Sequence, residues 1–172
     1  MANAIDMIKS DHKRVKGLFK EFDKADKAKE KERVVRETLK ELTTHATLEE
    51  EIFYPAVRMI DGMDKMMDEA EEEHHLVKLL IMELARMRPS DSHYEAKFSV
   101  LRENVEHHIE EEEAEVLRKA EQLGQERLSG IGQQMQSRKP AAEKEAEGVV
   151  KGNVMATGKA AAKAAREAVG RR

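Results

Sequence analysis

Apolar residues recur at intervals of three and four through the first 120 or so positions, the spacing of helices that bury one face. A first helix is expected from about Asp6 to Lys27, with Ile5, Ile8, His12, Val15, Phe19 and Phe22 as its inward stripe. A second, about Lys31 to Ile60, carries Val35, Thr38, Leu42, His45, Glu49, Ile52 and Ala56. A third, about Met63 to Arg88, carries Met63, Met67, Ala70, His74, Val77, Ile81 and Leu84. A fourth, about Ser92 to Leu123, carries Phe98, Leu101, Val105, His108, Glu112 and Val116. Asp61-Gly62 ends the second helix, and Pro89 forbids continuation of the third. Ser92 followed by Glu95 has the spacing of a capping box for the fourth. Pro55 is expected to kink the second helix by displacing the bond to the Glu51 carbonyl. Long helices with short connections predict an all-α fold, an antiparallel up-down-up-down four-helix bundle.

Composition agrees with helix. Aromatic residues make up only 3% of the 172, while Ala, Glu, Lys, Leu, Met and Arg fill most positions. After Leu123 the chain turns glycine-, alanine- and lysine-rich, so a bundle domain over 1–123 and a mobile or loosely helical tail over 124–172 are expected. The charge divides along that line: 124–172 hold ten Lys/Arg and five Asp/Glu, or +5, and the total of −4 leaves −9 on 1–123. An acidic body is a poor match for a phosphate backbone, so no nucleic-acid partner is expected. The absence of cysteine removes disulfides, thiolate metal sites and cysteine nucleophiles. No apolar run reaches the ~18–20 residues of a membrane span, and early charges at Asp6, Lys9 and Asp11 spoil a secretory leader, so a cytoplasmic protein is expected.

The stripes are interrupted by chemistry. Each holds a histidine among hydrophobes, and two add a glutamate one turn on, as His45-x-x-x-Glu49 and His108-x-x-x-Glu112. Burying such groups is costly unless something compensates them. The segment from His12 aligns with that from His74 at an offset of 62, and the segment from His45 with that from His108 at 63. A pseudo-two-fold internal repeat follows, bringing two His and one Glu from each half to one depth. His74 and His108, rather than the adjacent His75 and His107, keep the apolar register. Four imidazoles and two carboxylates exceed one tetrahedral zinc and suit two metals, with iron or manganese matching the donors. The expected pairs are His12 with His45 and His74 with His108, with Glu49 and Glu112 as bridges and an oxo or hydroxo group between the metals. A metal-free buried polar network and a di-zinc or di-manganese site are the competing readings. A ferritin-like centre needs Glu-x-x-His on two helices, and only the third helix supplies it, as Glu71-x-x-His74 in the inward register.

The ordered set His12, His45-x-x-x-Glu49, His74, His108-x-x-x-Glu112, with the strings HATLEEEIFYP and HHIEEEE, resembles the hemerythrin-like (HHE cation-binding) family over about residues 5–120. The resemblance implies a four-helix bundle with two non-haem iron ions. It also implies a small ligand: dioxygen, peroxide or nitric oxide. Oxygen-carrying members place two ligating histidines one turn apart on the third helix. Here Ala70 and Lys78 flank His74 at that distance. They also place an Asp five residues after the last His, where Glu112 here follows His108 by four. The reduced set points to a substitute ligand or a more open iron. Glu71 is the first candidate substitute; Tyr54 is a weaker one, off the inward register, and His75 another. His75, His107 and His93 are otherwise expected to flank the site or face solvent, and the glutamate runs to be solvated except for one inward residue each. Two functions follow: an enzyme turning over peroxide, catalase-like, or nitric oxide, and a non-enzymatic module that binds or senses oxygen or iron.

Overall fold

The computed structural model describes residues 3–152. It is all-helical. Helix α1 spans Ala4–Lys24 and α2 spans Ala28–Leu48. The second helix then widens into a π turn, Glu49–Phe53, and closes with a short turn, α3, Tyr54–Val57. Helix α4 spans Asp64–Leu84 and α5 Tyr94–Glu111. A second π turn, Glu112–Val116, leads into α6, Leu117–Ala120. The last described helix, α7, spans Gln125–Val150.

The starts of these helices have distinct causes. Asn3 and Asp6 form a reciprocal capping box at α1: the Asp6 N–H donates to Asn3 Oδ1 at 3.0 Å, and the Asn3 N–H to Asp6 Oδ2 at 3.2 Å. The box expected from Ser92 and Glu95 does not form. The residue before α5 is His93, in the left-handed region at φ 68° and without a side-chain cap. Asp91 instead accepts from the Arg88 N–H at 2.8 Å, which extends the turn, and Glu95 reaches Lys31 at 2.7 Å.

The expected mobile or loosely helical tail is corrected over 125–150. Helix α7 buries Leu128, Ile131, Met135, Ala142, Ala146 and Val150. It lies mainly along α2, where Lys40 Nζ meets Glu147 at 3.0 Å and Arg36 Nη1 donates to the Val150 carbonyl at 3.1 Å. Its alanines allow close approach, and Pro140 sits on the exposed side, where a freed carbonyl can be hydrated. The rest of the expected tail, 153–172, lies outside the described residues.

Pro55 does not by itself explain the irregularity in the second helix. The Tyr54 N–H bonds back five residues to the Glu49 carbonyl, and the Leu117 N–H does the same to Glu112. The second widening has no proline; Arg118 stands 63 residues after Pro55. Both π turns begin at the stripe glutamates. The core divides in two around them. One apolar cluster includes Ile8, Phe53, Tyr54, Met67 and Leu128, and the other includes Phe19, Leu39, Ile81, Phe98 and Leu101. The polar stripe residues lie between.

Candidate metal centre

That polar belt is formed by His12 from α1, His45 and Glu49 from α2 and its π turn, His74 from α4, and His108 and Glu112 from α5 and its π turn. All six are at most 6% exposed. The structure therefore brings every residue of the expected set to one place. His12 Nε2 lies 3.2 Å from Glu112 Oε2, and His45 Nε2 lies 3.1 Å from Glu49 Oε2. His74 Nε2 lies 3.4 Å from the same Glu49 oxygen and 3.1 Å from His108 Nε2. Two groups of donors result. His12, His45, Glu49 and Glu112 each offer an atom within 4.8 Å of the others, as do Glu49, His74 and His108. Glu49 is common to both groups; Glu112 joins the first.

The imidazoles are held from behind. His12 Nδ1 pairs with Glu113 at 2.8 Å, His74 Nδ1 with Glu50 at 3.0 Å and His108 Nδ1 with Glu73 at 2.6 Å. His45 Nδ1 faces Asp11 at 3.8 Å, and Lys139 of α7 holds Asp11 at 2.9 Å. In a neutral imidazole, a carboxylate accepting from Nδ1–H leaves Nε2 deprotonated and pointing inward, the state a metal ligand needs. The hydrophobic stripes gave no sign of these four acids, and Glu50, Glu73 and Glu113 are not simply solvated. Their signal was present: each adjoins a stripe His or Glu, and the pairs Asp11/Glu73 and Glu50/Glu113 keep the offsets of 62 and 63.

Tyr54 is corrected from an off-register position to the edge of the site. Its hydroxyl donates to Glu49 Oε2 at 3.4 Å and lies 3.4 Å from His74 Nε2. The cause is the π turn, which makes a residue five positions on face the same way as Glu49. Glu71 is not at the centre; it pairs with Arg58 at 2.9 Å on the surface. His75, His93 and His107 are exposed, as expected.

Charge at the belt is finely set. Burial holds the His45 imidazole down at about 4, against the opposing pull of Asp11. Burial also lowers His74. At His108 burial acts in the same direction, but Glu73 and Glu112 outweigh it and raise the imidazole. Burial and then the Glu112 charge push Glu49 well above the usual carboxyl range. At Glu112 burial is outweighed by His12 and by the charge of His108, which bring it to about 2. One acid of the pair therefore keeps its proton in the metal-free protein.

His12 Nε2, His45 Nε2, Glu49 Oε1 and both Glu112 oxygens are buried and make no hydrogen bond among the described residues; the short His12–Glu112 and His45–Glu49 approaches lack its geometry. Each such orphan costs about 1–3 kcal/mol. The donor set is imidazole and carboxylate, inward-facing and convergent, and a cation would satisfy all the orphans at once. The residues thus fit a metal.

Beside the imidazoles lies a small cavity of about 20 Å³, whose apolar walls include Val15, Leu42, Val77, Val105 and Ile109. That is room for about one water-sized molecule. Among the described residues no helix is long and apolar enough to cross a membrane.

Comparison with known proteins adds three findings. The family model for the hemerythrin HHE cation binding domain matches residues 3–120. A crystal structure of a hemerythrin HHE cation binding domain-containing protein from Mycobacterium kansasii superposes with a TM-score of 0.76 at 24% identity, covering 91% of this chain and 97% of that one. Such coverage extends past residue 120, so the shared fold takes in part of the C-terminal segment. A DNA nickase from Nostoc sp. (strain PCC 7120 / SAG 25.82 / UTEX 2576) is 29% identical over 112 residues, 65% of this chain. The match spans about a third of the nickase, 32% of its length.

Proposed function

The chain belongs to the hemerythrin HHE cation-binding domain family, and from that premise we propose that its buried belt binds two non-haem iron ions that react with a small oxidant. His12 and His45 would hold one ion, His74 and His108 the other, with Glu49 and Glu112 between them. The observation that carries the reading is the set of buried, unbonded donor atoms facing one another, with three imidazoles hydrogen-bonded from behind and the fourth facing Asp11. The repeat supports a paired site: ligands, the acids behind them and both π turns recur at offsets of 62 or 63. Such a recurrence fits a pseudo-two-fold bundle around two cations.

Iron supplies one-electron redox chemistry and open coordination positions. The chain's own groups decide what reaches it. The apolar cavity of about 20 Å³ suits peroxide, dioxygen or nitric oxide and has no room for an organic substrate. The Tyr54 hydroxyl is a further donor beside the His74/His108 pair, 3.4 Å from His74 Nε2. Burial first, then the charges of Glu49 and Glu112, keep it protonated without metal. A cation there would favour the phenolate as an added ligand; left as the neutral phenol, Tyr54 keeps its hydrogen bond to Glu49. The −9 charge over residues 1–123 gives no support to DNA contact by analogy with the nickase.

The test is metal analysis of purified full-length protein, wild type beside His45→Ala and Glu112→Ala, with hydrogen peroxide then added. Two irons per wild-type chain, lost in both variants, together with oxygen evolution, support the enzymatic reading. A reversible spectral change under oxygen without turnover supports the carrier or sensor instead. Equal metal content in all three proteins overturns the site.

A further inference from the structure

A second group of ligating side chains lies just outside the belt. Glu73, His107 and Glu111 offer atoms within 4.8 Å of one another, and His107 Nε2 is 3.3 Å from Glu111. His107 and Glu111 are exposed, while Glu73 is half-buried. Glu73 and Glu111 line a cavity of about 100 Å³ between α4 and α5, and His107 stands in an outer depression that adjoins it. Glu69 and Glu115 share its walls with Met66, Ala70 and Val116, and its buried end holds His108 and Glu112. The outer depression shares Glu69, Glu73 and Glu111 with this cavity and adds His107 and one cation, Lys65.

An acidic cluster alone would mean little. Here the passage ends on a carboxylate that is 1% exposed and whose two oxygens make no hydrogen bond. Glu73 spans both zones, belonging to the outer trio while accepting from His108 Nδ1 at 2.6 Å. We propose that Glu73, His107 and Glu111 form a transient divalent-cation site at the mouth of this acidic passage, through which the metal is loaded onto the belt. The proposal rests on the metal reading of the belt. Three ligands leave the remaining positions to water, which suits capture and release rather than retention. The cavity on the other side of the imidazoles meets them through valine, leucine and isoleucine, walls that disfavour a hydrated cation. The two sides would then divide the work, the acidic one admitting cations and the apolar one receiving a small neutral ligand.

The experiment mixes metal-free full-length protein with Co²⁺, quenches with chelator at intervals, and counts bound metal by elemental analysis. Wild type, His107→Ala/Glu111→Gln and a remote charge control, Glu30→Gln, are compared after circular dichroism shows equal helicity. The double variant is expected to load about tenfold more slowly yet reach the wild-type count, while the control loads normally and wild-type loading slows with salt. Wild-type loading speed in the double variant overturns the passage while leaving the belt standing. A lower final count in that variant also overturns it, because the residues would then retain metal. Wild type that holds no Co²⁺ removes the belt reading and the passage with it.

Discussion

A buried imidazole is a ligand or an inert core group according to what its second nitrogen touches. At His12, His74 and His108 the second nitrogen meets a carboxylate at 2.6 to 3.0 Å, and the first is left facing the belt. Glu113 is the cleanest place to test this, since among the described residues its hydrogen bond is to His12 alone. Glu113→Ala is expected to keep the fold and to weaken metal binding by about tenfold to a hundredfold. Chelator competition measures it, and unchanged affinity would show that His12 needs no partner. The six belt residues were legible in the sequence because each occupies a position where the helical stripe calls for a hydrophobe. Their carboxylate partners were not, because in a chain this rich in glutamate an acid beside a histidine carries no mark of its own. Only the repeat offsets distinguish Asp11, Glu50, Glu73 and Glu113 from their solvated neighbours.

At the scale of elements, two features escaped the hydrophobic pattern. The π turns shift register by one residue, so a strict three-four count puts Tyr54 off the inward face when it lies at the site. Tyr54 aligns with Leu117 at the offset of 63, so the two halves differ here. Tyr54→Phe retains the ring and removes the hydroxyl. It is expected to lower retention of the ion on the His74/His108 side during dialysis, with helicity unchanged; full retention would leave Tyr54 a packing residue. The other feature is α7, whose glycines and Pro140 resemble a linker and whose buried face turns to alanine after Met135. Leu128, Ile131 and Met135 have helical spacing, but three residues are too short a run to mark a buried face. Met135 is 1% exposed, and Met135→Ala is expected to cost about 2–5 kcal/mol in urea unfolding. A change near zero would mean that α7 does not dock. Its docking also reaches the centre, through Lys139 and Asp11 to His45.

Across the whole molecule, a polar layer separates two apolar cores, and its buried ionisable groups make the stability of the metal-free fold depend on pH. Glu49 is raised well above its ordinary 4.5, so the metal-free fold prefers it protonated. Its contribution is complete below pH 4.5 and is lost as pH rises toward its folded value, at about 1.4 kcal/mol per pH unit. His45 works the other way: lowered from 6.5 to about 4, it costs stability as pH falls through that window and contributes no slope above it. Raised His108 adds to the loss at higher pH. Above pH 6.5 the metal-free wild type should therefore become less stable as pH rises. Glu49→Gln, which mimics the protonated acid, should flatten the part due to Glu49 and be the more stable protein there. Metal reverses the sign, because its ligands must be deprotonated and binding releases their protons. Loaded wild type should gain stability over metal-free wild type as pH rises, and Glu49→Gln should gain little at any pH. Denaturant melts at several pH values, with and without bound metal, measure all four curves. Parallel curves for wild type and Glu49→Gln without metal would show that Glu49 ionises freely in the fold, and the account of a belt built for cations would lose its central acid.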